Sequence, residues 1–135
     1  MISSGSNQQI KDLMKLQKNG RYRRKQRCFI VEGIKLTKEA LFNQKLQKVY
    51  VSESFYRDNQ VEEFAEIPLE TVTDQVFCQI CDTVTPQGIL GIVSFPEYSL
   101  EEILSDERTL YLLLDDVRDP GNLGTIIRTA EGAGM

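Results

Sequence analysis

The sequence contains no histidine and no tryptophan, only three cysteines among 135 residues, and no apolar run approaching the ~18 residues of a membrane span. Without histidine there is no His-based catalytic triad and no ordinary catalytic zinc site, so any chemistry must run on Arg, Asn, Lys or carboxylates. Cys28, Cys78 and Cys81 form an odd set too sparse for a disulfide framework, which suits a reducing compartment. Cys78-Gln-Ile-Cys81 has CxxC spacing, yet Val76, Phe77 and Ile80 around it read as the core face of a helix. The expectation is therefore two buried structural thiols and no metal site. Residues 1–20 lack the basic, apolar and small-residue succession of a secretory signal, and the expected location is the cytoplasm, with no membrane role.

What is present is the composition of an ordinary globular chain, 41% hydrophobic and 27% charged. The length allows one compact domain with its own core and at most part of a second. A net charge of −4 conceals a strong polarity: residues 1–48 carry 12 basic and 3 acidic side chains, residues 49–135 carry 4 basic and 17 acidic ones. The basic end suits a polyanion. Its most cationic stretch, Arg21-Tyr-Arg-Arg-Lys-Gln-Arg27, places five positive charges and one aromatic in seven residues. Two readings stand open for Arg21, Tyr22, Arg23, Arg24, Lys25 and Arg27: a solvated basic loop, or a surface for a phosphate backbone.

Ser6 is the expected cap of a first helix with Ile10, Leu13, Met14 and Leu16 on one face, stopped at Asn19-Gly20. From residue 28 strands and helices alternate, with strands at 28–32, 47–52, 69–72 and 89–94 and helices at 34–43, 53–58, 60–65 and 74–81. That order predicts a small α/β domain of α/β/α layers with a largely parallel sheet. Phe95-Pro-Glu97 closes the pattern, giving an expected domain at 1–97 and a linker with a short helix at 100–104. Leu110-Tyr-Leu-Leu-Leu114 is the kind of run that makes a strand buried on both faces, followed by a turn and a helix at 125–133. One strand and one helix cannot bury their own apolar faces. Residues 98–135 therefore read as a linker and the incomplete start of a second domain, with Ile126 and Ile127 partly uncovered.

The turn Asp115-Asp-Val-Arg-Asp-Pro-Gly-Asn-Leu-Gly124 opens that helix. Asn122 is its expected cap, with the N–H groups of residues 123–125 available to an anion. Helical spacing sets Leu123, Ile126, Ile127 and Ala130 on one side and Gly124, Arg128 and Glu131 opposite. Arg128 is then within reach of a substrate that touches Asn122. An ordinary turn followed by a solvated arginine accounts for the same residues. A Rossmann phosphate loop does not, because Gly121-x-x-Gly124 lacks the GxGxxG spacing.

From Leu114 to Gly134, with its Asp-Pro-x-Asn-x-Gly core and the Arg-Thr-Ala that follows, the chain resembles the first motif of SpoU-type RNA ribose 2′-O-methyltransferases, members of the knotted SPOUT superfamily. Phe29-Ile-Val-Glu-Gly33 and Thr85-Pro-Gln-Gly-Ile-Leu-Gly-Ile-Val93 resemble that family's substrate-binding domain, which is similar to a small ribosomal-protein fold. The resemblance implies methyl transfer from S-adenosylmethionine to a ribose 2′-hydroxyl in structured rRNA or tRNA. It implies that Asn122 helps place the substrate, and that Arg128 contacts the target ribose and its phosphate and assists loss of the hydroxyl proton. A guanidinium is a poor base, so orientation and phosphate neutralisation are its natural work. The family's second and third motifs, which form the knot and hold the cofactor, would lie beyond Met135. The resemblance thus assigns no cofactor-binding residue to this chain and implies an inactive isolated chain, with a homodimer for the full-length protein only. The alternative is a non-catalytic module that binds structured RNA through residues 1–97.

Overall fold

The computed structural model describes residues 1–59, 61–105 and 110–135, which cluster into two compact units, Met1–Pro96 and Glu97–Met135. The first unit opens with α1 (Gln8–Lys18), which buries Ile10, Leu13 and Leu16 at three-residue spacing. Its cap is Asn7, whose side chain accepts from Gln9 N at 2.9 Å, whereas the expected Ser6 hydroxyl pairs with Ser4. Asn19 then serves two helices. Its backbone closes α1, and its side chain accepts from Tyr22 N at 3.0 Å to start α2 (Gly20–Gln26). The cationic stretch is therefore largely helix, not loop, because asparagine supplies the cap that a second start requires. Arg27 ends α2 in the left-handed region at φ 53°.

The remaining elements are β1 (Cys28–Glu32), α3 (Ile34–Phe42), β2 (Leu46–Ser52), α4 (Glu53–Asp58), a 3₁₀ turn (Glu62–Phe64), β3 (Leu69–Val72), α5 (Asp74–Gln79) and β4 (Ile89–Ser94). The start of the helix expected at 60–65 lies outside the described residues, and its centre is this 3₁₀ turn. The sheet order is β1-β4-β2-β3. Only β2 and β3 pair in parallel, while β4 runs antiparallel to both neighbours, with Gly91 opposite Val31 and Val49. The expected largely parallel sheet is thus corrected to a mixed one. β3 ends at Val72 opposite Ser52 and β4 begins at Ile89 opposite Val51, so residues 73–88 leave and re-enter the sheet at the same end and β4 runs the other way.

Alternation along the strands builds two cores. Tyr50, Val72 and Leu90 pack with Ile10, Leu13, Val76, Phe77 and Ile80 under α1 and α5. Val49, Val51, Ile89 and Val93 pack with Ala40, Phe55 and Phe64 under α3 and α4. These are the expected α/β/α layers. A Cβ at Gly91 would sit 2.6 Å from Leu46 Cδ1, so a side chain there would force the buried Leu46 to shift.

The cysteine expectation is corrected in one position. Cys28 is buried, Cys81 is half-buried and Cys78 is exposed, because Val76, Phe77 and Ile80 occupy the core side of α5 and the residue after it. Burial, with Glu32 nearby, pushes the Cys81 thiol up to about 12.

In the second unit Ser99 caps α6 (Leu100–Leu104), and α7 spans Pro120–Gly132 with no buried residue. Residues 110–114 form no strand, and Leu113 is 93% exposed. The apolar run is that of a strand, but a strand exists only when a neighbour takes its N–H and C=O groups, and the described residues supply none. Ile127 is 52% exposed, as an uncovered helix face demands.

Phe77 and Cys78 are adjacent yet face opposite environments. Phe77→Ala should cost roughly 3–5 kcal/mol and Cys78→Ala less than about 0.5 kcal/mol, read from urea midpoints of the 135-residue chain. Asp74 accepts from Ser54 Oγ at 2.7 Å and Ser54 N at 3.1 Å, joining α4 to α5, and these bonds hold its carboxyl below the usual aspartate range. A lowered folded value stabilises above the ordinary aspartate pKa and is lost as pH falls through the folded one. Melting temperature should therefore fall less steeply with acidification in Asp74→Asn than in wild type; parallel curves would refute the linkage.

Candidate functional site

The six residues of the cationic stretch do not share one role. Arg23 is half-buried, and its Nη1 donates to Leu16 O and Gln17 O, both at 2.7 Å. Its charge satisfies carbonyls that α1 leaves open at its C-terminus, where a cation is also favoured by the helix dipole. Arg21, Arg24 and Lys25 are exposed at i, i+3 and i+4 spacing and so share a face of α2. Among the described residues no carboxylate lies within ion-pair distance of these three. Tyr22 is half-buried, with Lys15 Nζ 5.9 Å from its ring centroid. Arg27 is exposed in the left-handed cap.

At the far end of the sequence, α7 is capped by Asp119, not by Asn122. The Asp119 Oδ2 atom accepts from Asn122 N at 2.6 Å, and Pro120 takes the first helical position, where its missing N–H costs nothing. Leu123 N already donates to Asp119 O at 3.0 Å, so the expected anion cradle at residues 123–125 is filled by the helix itself. Asn122 sits instead inside the first turn with its side chain exposed. The Asp-Pro pair was the available signal for this start, since carboxylate then proline is a favoured Ncap-N1 combination.

Arg128 is exposed but does not simply project outward. It folds back along the helix, as long side chains do in this geometry. Its Nη2 lies 3.4 Å from Thr125 Oγ1, and its Nη1 lies 3.3 Å from where a Cβ of Gly124 would stand. Thr125 Oγ1 in turn donates to Gly121 O at 3.0 Å. The guanidinium thus ends two residues from Asn122, although no hydrogen bond joins the two. In the preceding turn Asp116, at φ 53°, accepts a bidentate pair from Arg118 at 2.9 and 2.7 Å, which raises the Arg118 guanidinium pKa. Sequence reasoning did not single out Arg118, Thr125 or Asp119.

Two other polar side chains, Glu32 and Gln87, hold local structure. Glu32 accepts from Asp82 N at 3.3 Å and from Thr83 Oγ1. Gln87 Oε1 accepts from Ile34 N at 3.0 Å, capping α3, since Gly33 offers no side chain. Among the described residues no cluster of three potential metal ligands exists, and no helix is long and apolar enough to cross a membrane.

Comparison with known proteins agrees with this architecture. Residues 7–91 match the family described as the MRM3-like substrate binding domain. The chain is 37% identical over 99% of its length to the 23S rRNA (guanosine(2553)-2′-O)-methyltransferase RlmP of Bacillus subtilis, covering 51% of that protein. It is 33% identical over 93% of its length to mouse mitochondrial rRNA methyltransferase 3, covering 31% of it. The crystal structure of AdoMet-bound rRNA methyltransferase from Sinorhizobium meliloti superposes with a TM-score of 0.81 at 32% identity, covering 98% of this chain and 51% of that one. The chain therefore spans about half the length of the bacterial proteins it matches, or less in the mitochondrial case. With a matched substrate-binding domain over most of its first unit and the motif resemblance in its second, the chain belongs to the SpoU-type RNA methyltransferase family.

Proposed function

We propose that the protein carrying this chain transfers a methyl group from S-adenosylmethionine to a ribose 2′-hydroxyl of structured ribosomal RNA. The observation that carries the reading is the start of α7, where Arg128 is folded back over Gly124 and Thr125 toward Asn122. A guanidinium held there neutralises a phosphate with paired N–H donors and orients the neighbouring ribose hydroxyl; Asn122 supplies an exposed amide for the same nucleotide. Similarity to the Bacillus subtilis and mouse rRNA methyltransferases supports ribosomal RNA as the substrate class.

S-Adenosylmethionine needs walls for its adenosine, and the residues present do not make them: α7 has no buried residue and the side chains of residues 110–114 are exposed. No cofactor contact is assigned to this chain, and no step is derived through the cofactor. The protein that carries it is proposed to work as a homodimer, and its three free cysteines together with the bacterial relative favour the cytoplasm. A non-catalytic RNA-binding module is the second reading, favoured by the strongly basic α1–α2 pair.

Labelled S-adenosylmethionine, ribosomal RNA and the protein of the complete reading frame test the first reading. Label on ribose 2′-oxygens is expected, with Arg128→Ala reducing kcat by about 100-fold or more, the scale for removing a charge-stabilising donor. Residues 1–135 alone should bind RNA and transfer nothing. RNA binding without any methyl transfer by the complete protein would leave the module reading. In the 135-residue chain, Arg21→Gln with Arg24→Gln should weaken RNA binding and flatten its salt dependence by about 1–2 log units per log unit of salt. Arg23→Gln should instead lower the melting temperature, since it uncaps α1; equal effects at all three arginines would overturn that division.

A further inference from the structure

The cationic surface does not end with α2. Lys11, Lys15 and Lys18 are all exposed and stand at i, i+4 and i+7 on α1, within one narrow stripe roughly opposite the buried Ile10, Leu13 and Leu16. Successive lysines are thus offset by about 6 and 4.5 Å along the helix axis. Lys15 lies over the Tyr22 ring, which makes the stripe continuous with α2.

Counter-charges on this surface are few. Between residues 8 and 27 the only carboxylate is Asp12, which lies 3.5 Å from Lys15 and also accepts from Gln8. Among the described residues, Lys11 and Lys18 have no acidic partner. Like charges three and four apart destabilise a helix, and here the repulsion goes almost unrelieved. The opposite layer is balanced differently: Lys38 of α3 pairs with Glu63 at 2.8 Å, and Glu62 and Glu66 flank that contact in sequence. An uncompensated row on one layer, joined to the α2 face, is the arrangement that a polyanionic strand relieves.

We propose that Lys11, Lys15 and Lys18 form a second row of phosphate contacts, so that RNA engages the outer face of α1 as well as α2. The proposal rests on RNA being the partner of this chain and extends the surface beyond Arg21, Arg24 and Lys25. Glutamine has nearly the helix propensity of lysine, so the row can be neutralised without weakening α1.

The test measures binding of the 135-residue chain to a short RNA hairpin across a salt series. Lys11→Gln/Lys15→Gln/Lys18→Gln is compared with the charge-matched Lys35→Gln/Lys38→Gln/Lys45→Gln, drawn from α3 and the turn after it. The α1 variant should flatten the plot of log affinity against log salt by about 2 units, at roughly 0.7–0.9 per lost phosphate contact, while the control keeps the wild-type slope. Without RNA the α1 variant should melt close to the wild-type temperature, because the repulsion removed is offset by loss of the Lys15 contacts with Asp12 and the Tyr22 ring. Each single substitution should give its share of the flattening. A wild-type slope in the α1 variant, or equal flattening in the control, would overturn the row while leaving RNA as partner. If wild type itself fails to bind RNA, both the row and the underlying reading fall.

Discussion

The insertion of β4 between β1 and β2 is the constraint from which the rest of the first unit follows. It is the one strand with two antiparallel neighbours, and its side chains feed both cores, Leu90 toward α1 and α5, Ile89 and Val93 toward α3 and α4. Gly91 at its centre lets Leu46, Val31 and Thr37 close over it. Gly88, at φ 85°, brings the chain into β4 so closely that a Cβ would lie 2.8 Å from both Phe55 Cβ and Ser52 Oγ. With β4 in place, α1 has a sheet face to cover, and covering it turns the lysines of α1 to solvent. The basic surface is thus a consequence of how the core is closed, not a separate feature added to it.

The elements of this unit were legible in the sequence; the partners of the strands were not. Hydrophobic alternation marks β1, β2, β3 and β4 within a residue of their observed bounds, because period-two burial is a local property. Direction and order depend on which end of the sheet a connection re-enters, which is not a local property. The six-residue α4 lies between the parallel strands β2 and β3, and the six-residue α5 lies between β3 and a β4 that runs the other way, so helix length in a connection does not distinguish the two cases. The α2 helix was missed for the converse reason. Seven residues with five charges at positions 21–27 have no apolar period to read, and what makes them helical is one asparagine cap and an arginine bonded to the preceding helix. The long-range bond from Arg23 also separates it chemically from Arg24, which no composition argument distinguishes.

The second unit shows the opposite balance. Asn122 and Arg128 were singled out through a resemblance to a family motif, and the local geometry expected for Asn122 was misplaced: Asp119 caps the helix, and Asn122 is freed from that duty. That change matters for chemistry. An asparagine spent on a cap has its oxygen occupied by the backbone, whereas an exposed side chain in the first turn has both its acceptor and its donors available to a substrate. The apolar run 110–114 illustrates a limit of any sequence reading. Such residues state that a sheet is wanted; they cannot supply the strands beside them.

Local helix preference offers an independent view of α7. The helix contains Gly121, Gly124 and Gly132, with Thr125, Ile126, Ile127 and Thr129 between them, a composition poor in the residues that favour helices. Each interior glycine costs about 1 kcal/mol relative to alanine, and no buried residue of α7 offsets that cost by packing. At Gly132 a Cβ would meet nothing within 4 Å, so that glycine has no local steric reason. At Gly124 the neighbour is the Arg128 guanidinium, and at Thr125 it is the same group again. A Cβ on residue 124 would stand 3.3 Å from Arg128 Nη1, close enough that the guanidinium must give by a few tenths of an ångström. Glycine at 124 therefore leaves the Arg128 guanidinium its place beside Thr125 at a cost in local helix preference, which is what the proposed orienting role of that cation asks for.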